Sequence, residues 1–269
     1  MAIAEDFVER GKIDIGRVLQ QTFGVIGRNL ATFTLLGLLL SGIPLALVSF
    51  VQAQWMRGAV TSTGFDFSTD YFANAGLGGL AALITSAIMQ GALIYTTVQD
   101  LNGRRATLGE SLATGLRSFL PLLGVSILFG IGVVCGFILL IVPGIMLICI
   151  WCVAVPSLVA DRTGVFGAFS RSAELTRGNR WRIFALGVVL WVLLLVIGLV
   201  FNAVSGVYAI GGNVETIVER ATSPVFILLT VIRSVVSSVV GSALAAVLYV
   251  ELRRAREGAG PDWLADIFS

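Results

Sequence analysis

The amino-acid sequence predicts an all-α, polytopic membrane protein: a helical bundle of about six transmembrane helices with three interfacial amphipathic helices. Hydrophobic residues make up 57% of the 269 residues and charged residues only 13%, whereas a soluble domain has roughly 45–50% apolar and about 25% charged residues. The apolar residues fall in long runs, and no polar block is long enough to fold separately. We therefore expect residues 1–269 to form a single integral membrane domain.

Six apolar runs are candidates for membrane spans. A helix needs about 20 predominantly apolar residues to cross the hydrocarbon core. Each run approaches or exceeds this length, and none contains a carboxylate. The predicted spans are 31–53, 76–98, 119–141, 143–160, 183–207 and 225–250.

The third and fourth runs are contiguous and together have twice the length of one span, so the chain must fold back between them. The segment Ile141–Gly144 contains Pro143 followed by Gly144. Proline fixes φ and glycine accepts a positive φ, which favours a tight type II turn. We therefore predict the hairpin turn at these residues.

The positive charges are distributed asymmetrically between the two sides of the predicted bundle. Fifteen of the eighteen Lys and Arg residues lie before span 1, between spans 2 and 3, between spans 4 and 5, or after span 6. The opposite side has only Arg57 and Arg220, and Arg233 lies within span 6. The positive-inside rule then places both termini in the cytoplasm of a bacterial-type inner membrane.

The segment between spans 4 and 5 has the pattern of an interfacial helix. Val165, Phe166, Phe169 and Ala173 share one helical face, whereas three charged residues share another. Gly178 is typical of a helix end, and Asn179 of the N-cap of the next helix. Aromatic and basic residues at the start of span 5 are typical of headgroup level.

Similar amphipathic segments precede spans 1 and 3, at 16–33 and 109–124, and the first is interrupted at 27–29. This pattern suggests three parallel repeats, each an interfacial helix followed by a transmembrane hairpin. Amphipathic segments of this kind also arise without duplication, so both origins stay open.

Three segments carry a resemblance to a known family: 141–161, 168–184 and 248–258. They contain the Pro-Gly pair, a Ser-x-x-Leu-Thr-x-Gly-Asn loop and an arginine-rich exit from the last span. In these features the chain resembles the membrane domain of glycerophosphoryl diester phosphodiesterases and related six-span bacterial membrane proteins. The resemblance implies fold and location. It does not carry over the enzymatic activity, because those enzymes use histidines and metal-binding carboxylates in a separate soluble domain.

Arg233 is a candidate functional charge inside span 6. If the helix enters the membrane at Ser223, Arg233 lies roughly 15 Å deep, where a charge is costly and is functional by default. The alternative is an arginine that extends to the headgroups, with Glu215, Glu219 or Asn202 as candidate partners. Small residues recur every four positions around it, which favours close helix packing or, alternatively, a polar path.

Catalytic and cofactor sites have little support. The chain has no histidine, which removes the commonest general base and metal ligand. We expect no cofactor, no metal and no catalytic residue. The pair Cys149 and Cys152 leaves intramembrane thiol chemistry as a weaker alternative, because buried cysteine most often serves as a small apolar residue.

The arginine loop has two compatible interpretations. It orients the helices, and four of its residues are candidates for contacting anionic lipid headgroups: Arg171, Arg177, Arg180 and Arg182.

The leading hypothesis is a non-enzymatic membrane protein that organises lipids, a membrane-protein partner or further copies of itself, without nucleic-acid binding. The rival hypothesis is a transporter or channel, based on Arg233, the small residues and the repeat.

Overall fold

Helices account for nearly all of the chain that the computed structural model describes. Backbone is described for residues 12–61, 64–65, 69–209 and 223–257, and side chains for 12–52, 76–204 and 223–257. The helices are α1 Ile15–Arg28, α2 Leu30–Gly37, α3 Ile43–Ala59, α4 Thr69–Leu101, α5 Leu108–Leu139, α6 Ile141–Trp151, α7 Ala154–Asp161, α8 Gly164–Leu175, α9 Arg180–Ala209 and α10 Pro224–Glu257. A π-helical turn, Leu38–Gly42, joins α2 to α3, and two-residue strands β1 (Val60–Thr61) and β2 (Gly64–Phe65) pair antiparallel.

Six helical segments in the described residues are long and apolar enough to cross a membrane, as predicted. They are Leu30–Gln52, Gly76–Leu101, Leu108–Leu139, Ile141–Asp161, Arg180–Val204 and Pro224–Glu257. The Arg180–Val204 segment is the most apolar, and only 11% of its most apolar window is buried within the protein. An apolar surface of this extent is stable only against lipid, so the fold is that of a polytopic membrane bundle.

Two of the three predicted amphipathic helices are separate elements. Helix α1 begins after Asp14, whose carboxylate accepts hydrogen bonds from the backbone N–H groups of Gly16 and Arg17, and ends at the non-helical Asn29. Helix α8 precedes span 5. The third predicted segment, 109–124, is instead continuous with span 3, because α5 runs unbroken from Leu108 to Leu139 and includes Pro121.

The predicted type II turn is wrong. The single extended residue between α5 and α6 is Leu140, with φ −169° and ψ 157°. Pro143 lies in the first turn of α6, where its missing N–H costs nothing. Gly144 is helical, and its Cα lies 2.9 Å from where a Cβ on Gly136 would sit. Gly144 therefore allows close packing of the two hairpin arms instead of supplying a positive φ.

The fourth span contains a break that the sequence analysis missed. Helix α6 ends at Trp151, and α7 begins at Ala154. Pro156 in the first turn of α7 cannot donate a hydrogen bond to a carbonyl in the preceding turn, which favours a break at this point. The fourth span therefore consists of two helices joined by Cys152 and Val153.

The buried core lies toward one end of the bundle. In α10, every buried residue except Val231 lies between Val239 and Leu252. The largest buried cluster joins the ends of α6, α9 and α10 to α1 and α8, and includes Ile13, Leu175 and Tyr249. This end carries the arginine-rich segments, so the amphipathic helices form part of the core at that end.

We predict that the Gly136–Gly144 approach limits hairpin stability. A Gly136→Ala substitution should lower the free energy of unfolding by about 1–3 kcal/mol, because the new Cβ meets backbone that cannot move aside. Gly130→Ala is the matched control, since no atom lies within 4 Å of its added Cβ; it should be neutral or stabilising by about 1 kcal/mol. Unfolding in detergent, followed by tryptophan fluorescence, measures both. Equal effects of the two substitutions would contradict the prediction.

Candidate functional site

The arginine loop forms a tight junction between α8 and α9. Helix α8 ends at Leu175, and the chain turns through residues 176–179 before α9 begins at Arg180. Gly178 has φ +89°, a conformation that glycine adopts without steric cost. The helix ends three residues before Gly178, with Thr176 as its C-cap. Asn179 directly precedes α9 and is 4% exposed.

Helix α8 docks against the break in the fourth span. The hydroxyl of Ser172 donates a 2.8 Å hydrogen bond to the carbonyl oxygen of Ile150, and the Thr176 hydroxyl lies 3.3 Å from the same oxygen. Ile150 is in the last turn of α6, where carbonyls lack an intrahelical partner. The docking therefore satisfies a backbone group that lies at the level of the α8–α9 junction.

Arg171 lies in an ion-pair cluster that joins three helices. Its guanidinium contacts Asp161 of α7 at 3.3 Å and also contacts Glu257 of α10. Asp161 accepts a 2.7 Å hydrogen bond from the Tyr249 hydroxyl and lies 3.6 Å from Arg253. The hydrogen bond to Glu257 raises the pKa of Arg171 above its ordinary value. The charge of Arg171 is thus directed toward the protein.

Two further side chains of the junction bind the segment that precedes α1. The Arg182 guanidinium donates a 2.6 Å hydrogen bond to the carbonyl oxygen of Ile13. The Asn179 side-chain oxygen accepts a 3.2 Å hydrogen bond from the Ile13 N–H. Ile13 is 2% exposed, so these bonds fix the start of α1 against the start of α9.

Arg177 and Arg180 are placed differently from the other two arginines of the loop. Arg177 is exposed. Arg180 lines a groove of about 310 Å³ between α6 and α9, whose other lining residues are Val142, Ile145, Met146, Cys149, Trp181 and Phe184. The Nε of Arg180 is buried and has no hydrogen-bond partner among the described residues. The groove thus combines an apolar wall with one cationic group.

Trp181 stands at the edge of this groove. Its side chain is 85% exposed, and its ring makes an edge-on contact with Phe184 at a centroid distance of 6.1 Å. Tryptophan beside arginine is typical of the membrane–water interface. The mouth of the groove therefore lies at headgroup level and its apolar wall lies deeper.

Arg233 is exposed on the surface of α10. The residues beside it pack against the first span: the Ser234 hydroxyl lies 3.3 Å from that of Ser41, and Val231 contacts Gly42. The small-residue face is thus used for helix packing over this stretch. Two of the candidate partners of Arg233, Glu215 and Glu219, lie outside the described residues.

The cysteines are free thiols in the described structure. Cys149 is buried, and the Cys152 thiol donates a 3.3 Å hydrogen bond to the Cys149 carbonyl oxygen at the helix break. Over the described ranges, no group of three or more His, Cys, Asp or Glu side chains is arranged to hold a metal ion. The absence of an enzymatic activity stays a prediction.

Sequence reasoning missed two parts of this site. It did not select Asp161 and Tyr249, which are 88 residues apart in sequence and meet only in the folded chain. It also missed the groove. Pro156 was the available signal for the helix break, and the carboxylates flanking the arginines were the available signal for the ion-pair cluster.

The fold and the junction define an all-α, multi-pass membrane protein with an arginine-lined apolar groove. The chain belongs to the family described as a domain of unknown function, DUF7847, which it matches over residues 13–252. It is also similar to a UPF0259 membrane protein of Pectobacterium carotovorum subsp. carotovorum (strain PC1), with 26% identity over 116 residues.

That alignment covers 43% of this chain and 46% of the relative, so the chain spans about half the length of the curated relative that it matches. No solved structure matches the chain. The comparisons support a family of bacterial membrane proteins. The family match and the similarity to the UPF0259 membrane protein do not test the resemblance to the phosphodiesterase membrane domain, which stays a prediction.

We predict that Ser172 anchors α8. Ser172→Ala should lower the free energy of unfolding by about 1–2 kcal/mol, because it removes the donor to the Ile150 carbonyl. Ser170→Ala is the matched control on the exposed side of the same helix, and its effect should stay within about 0.5 kcal/mol. Denaturant unfolding in detergent compares the two. A Ser172→Ala variant as stable as the control would exclude the anchoring role.

We also predict that Arg171 is structural. Arg171→Gln should lower the free energy of unfolding by about 1–2 kcal/mol, which lies between the typical costs of breaking a surface ion pair and a buried one. Arg177→Gln removes the same charge from an exposed position and should change stability by less than about 0.5 kcal/mol. The difference in stability between the Arg171→Gln and Arg177→Gln variants should shrink at high salt, because salt screens exposed charges. Thermal unfolding at two salt concentrations measures it, and identical losses in both variants would refute the assignment.

Proposed function

We propose that this chain is a non-enzymatic integral protein of a bacterial-type inner membrane that holds an anionic phospholipid in the groove between α6 and α9. The observation that carries the proposal concerns Arg180, which lines an otherwise apolar groove and whose buried Nε has no hydrogen-bond partner among the described residues. Both termini are cytoplasmic in this proposal, so the lipid belongs to the cytoplasmic leaflet.

The phosphate of the lipid is the group that Arg180 would bind. A guanidinium forms short, charge-assisted hydrogen bonds with phosphate oxygens. Arg171 and Arg182 are engaged by protein groups, so among the four arginines of the loop Arg180 and Arg177 are left for lipid. Arg180 lines the groove, whereas Arg177 contributes charge near the membrane surface.

The acyl chain of the lipid would lie along Val142, Ile145 and Phe184. Transfer of an acyl chain from the bilayer to this wall yields little hydrophobic free energy, because lipid tails are as apolar as the groove. Each basic residue near an anionic surface contributes about 1 kcal/mol. Selectivity should therefore depend on the headgroup charge and hardly at all on chain length.

The resemblance to the membrane domain of glycerophosphoryl diester phosphodiesterases supports the same role, since catalysis in those enzymes belongs to a separate soluble domain. The rival hypothesis of a transporter or channel rests on Arg233, the small residues of α10 and the three-fold repeat. Ser234 of this set lies against Ser41 of the first span, and this packing gives the rival no added support.

We predict that Arg180→Gln removes the bound lipid. Native mass spectrometry of protein released from native-lipid nanodiscs should show anionic phospholipid on the wild type, with most of it lost from Arg180→Gln. Arg177→Gln and Arg233→Gln are matched controls that remove one charge away from the groove, and both should retain the lipid.

A second variant tests the groove without changing charge. Met146→Trp adds bulk to the apolar wall and should also displace the lipid. If the wild type carries no lipid class above its bulk proportion, or if Arg180→Gln retains the same set, the proposed function is wrong. Loss from all arginine variants alike would indicate general surface attraction instead of a groove site.

A further inference from the structure

The hairpin formed by α5 and α6 has an entirely apolar tip. The stretch from Phe119 to Ala160 contains no charged residue. Five consecutive large side chains at the turn, Ile138–Val142, are between 68% and 79% exposed. The two other segments that join spans on the same side of the predicted topology carry charged residues in the sequence. A turn of this composition is suited to hydrocarbon and unsuited to water.

The depth that this turn can reach is limited by chain length. Ile150 is held at the level of the α8–α9 junction by the hydroxyl of Ser172. Ten residues separate Ile150 from Leu140, which is at most about 15 Å of helix whatever its tilt. The junction carries Arg180, Trp181 and Arg182 at headgroup level. The hydrocarbon core is about 30 Å thick, so the turn lies no deeper than about its middle.

Contacts of the hairpin with α9 agree with this limit. Val142, two residues beyond the turn, lines the groove together with Phe184 in the second turn of α9. Helix α9 continues to Ala209 and has 30 residues, about 45 Å in length. The tip therefore lies beside the first part of α9, and the remainder of α9 extends well beyond it.

The contacts of α5 with α4 also end partway along α4. Leu122 of α5 packs with Ala87 of α4 in one buried cluster. Farther along α4, Leu77, Leu80 and Leu83 are 54–68% exposed, so α5 does not cover them. Helix α5 thus diverges from α4 after Pro121 instead of following it across the membrane.

We propose that α5, α6 and α7 form a re-entrant hairpin, which enters the membrane from the side of the arginine-rich loops, turns at Leu140 near the midplane and returns. Its tip contacts the acyl chains of that leaflet. Spans 1, 2, 5 and 6 cross the membrane completely, so both termini stay on one side. This inference rests on the hairpin geometry and is independent of lipid binding by Arg180.

Two backbone hydrogen bonds are formed within the turn. The Leu140 N–H donates to the Gly136 carbonyl at 3.0 Å, and the Gly144 N–H donates to the Leu140 carbonyl at 3.3 Å. Pro143 has no N–H to satisfy. Non-helical backbone inside the membrane needs such internal partners, and only Leu140 departs from helical geometry between the two helices.

The test is the depth of a spin label at Leu140. Leu140→Cys is made with Cys135→Ala, because Cys135 is exposed whereas Cys149 is buried. The Cys135→Ala parent measures background labelling. Val188→Cys, Val192→Cys and Leu199→Cys on the exposed face of α9 form a depth scale, at about 12, 18 and 28 Å from Arg180.

Collision with oxygen and with a water-soluble nickel complex is measured for each label in proteoliposomes. A re-entrant hairpin gives the label at 140 a depth between those at 188 and 192, with nickel collision several-fold below that at 199. A depth equal to or beyond that at 199, with nickel access, overturns the proposal. If Leu140→Cys does not fold, a label on the wild-type Cys135 and one on Ile138→Cys give the same two outcomes.

Discussion

The need to satisfy one backbone carbonyl at the break of the fourth span links several elements of this structure. The fourth span breaks between Trp151 and Ala154, and a backbone carbonyl that is removed from water without a hydrogen-bond partner is costly. The Ser172 hydroxyl supplies the partner for Ile150. This contact fixes α8, and α8 in turn determines where α9 starts. The position of Arg180 at the groove is a consequence of a hydrogen bond that does not involve it.

The charged residues at the same end fall into two groups with different roles. Asp161, Arg171 and Glu257 neutralise one another across three helices, and Arg28 at the end of α1 binds Asp100 of α4 at 2.6 Å. These pairs hold the amphipathic helices to the bundle. Arg180 and Arg177 retain charge that can act on lipid. The arginine-rich composition of this end therefore contributes to internal cohesion as well as to its positive surface charge.

The six apolar segments and two amphipathic helices followed from the sequence, because periodicity and run length are local properties. The turn could not be predicted reliably from Pro143 and Gly144, since proline fits the first turn of a helix as well as a β-turn. The pairing of Tyr249 with Asp161 depends on how α7 and α10 pack. The groove could not be predicted from the sequence either. It forms between α6 and α9, and no local sequence pattern indicates the space between two helices.

The buried residues of the protein are concentrated at the arginine-rich end of the bundle. The buried core, both amphipathic helices and the mouth of the groove all lie there. A re-entrant hairpin adds α5, α6 and α7 to the half of the membrane at this end and no helix to the other half. Because the tip stops near the midplane, the apolar wall of the groove lies within the same half as Arg180. A lipid with its phosphate on Arg180 would therefore place its acyl chain beside Val142 without crossing into the opposite leaflet. The hairpin geometry thus explains why a headgroup site and an apolar wall can occur together at this position.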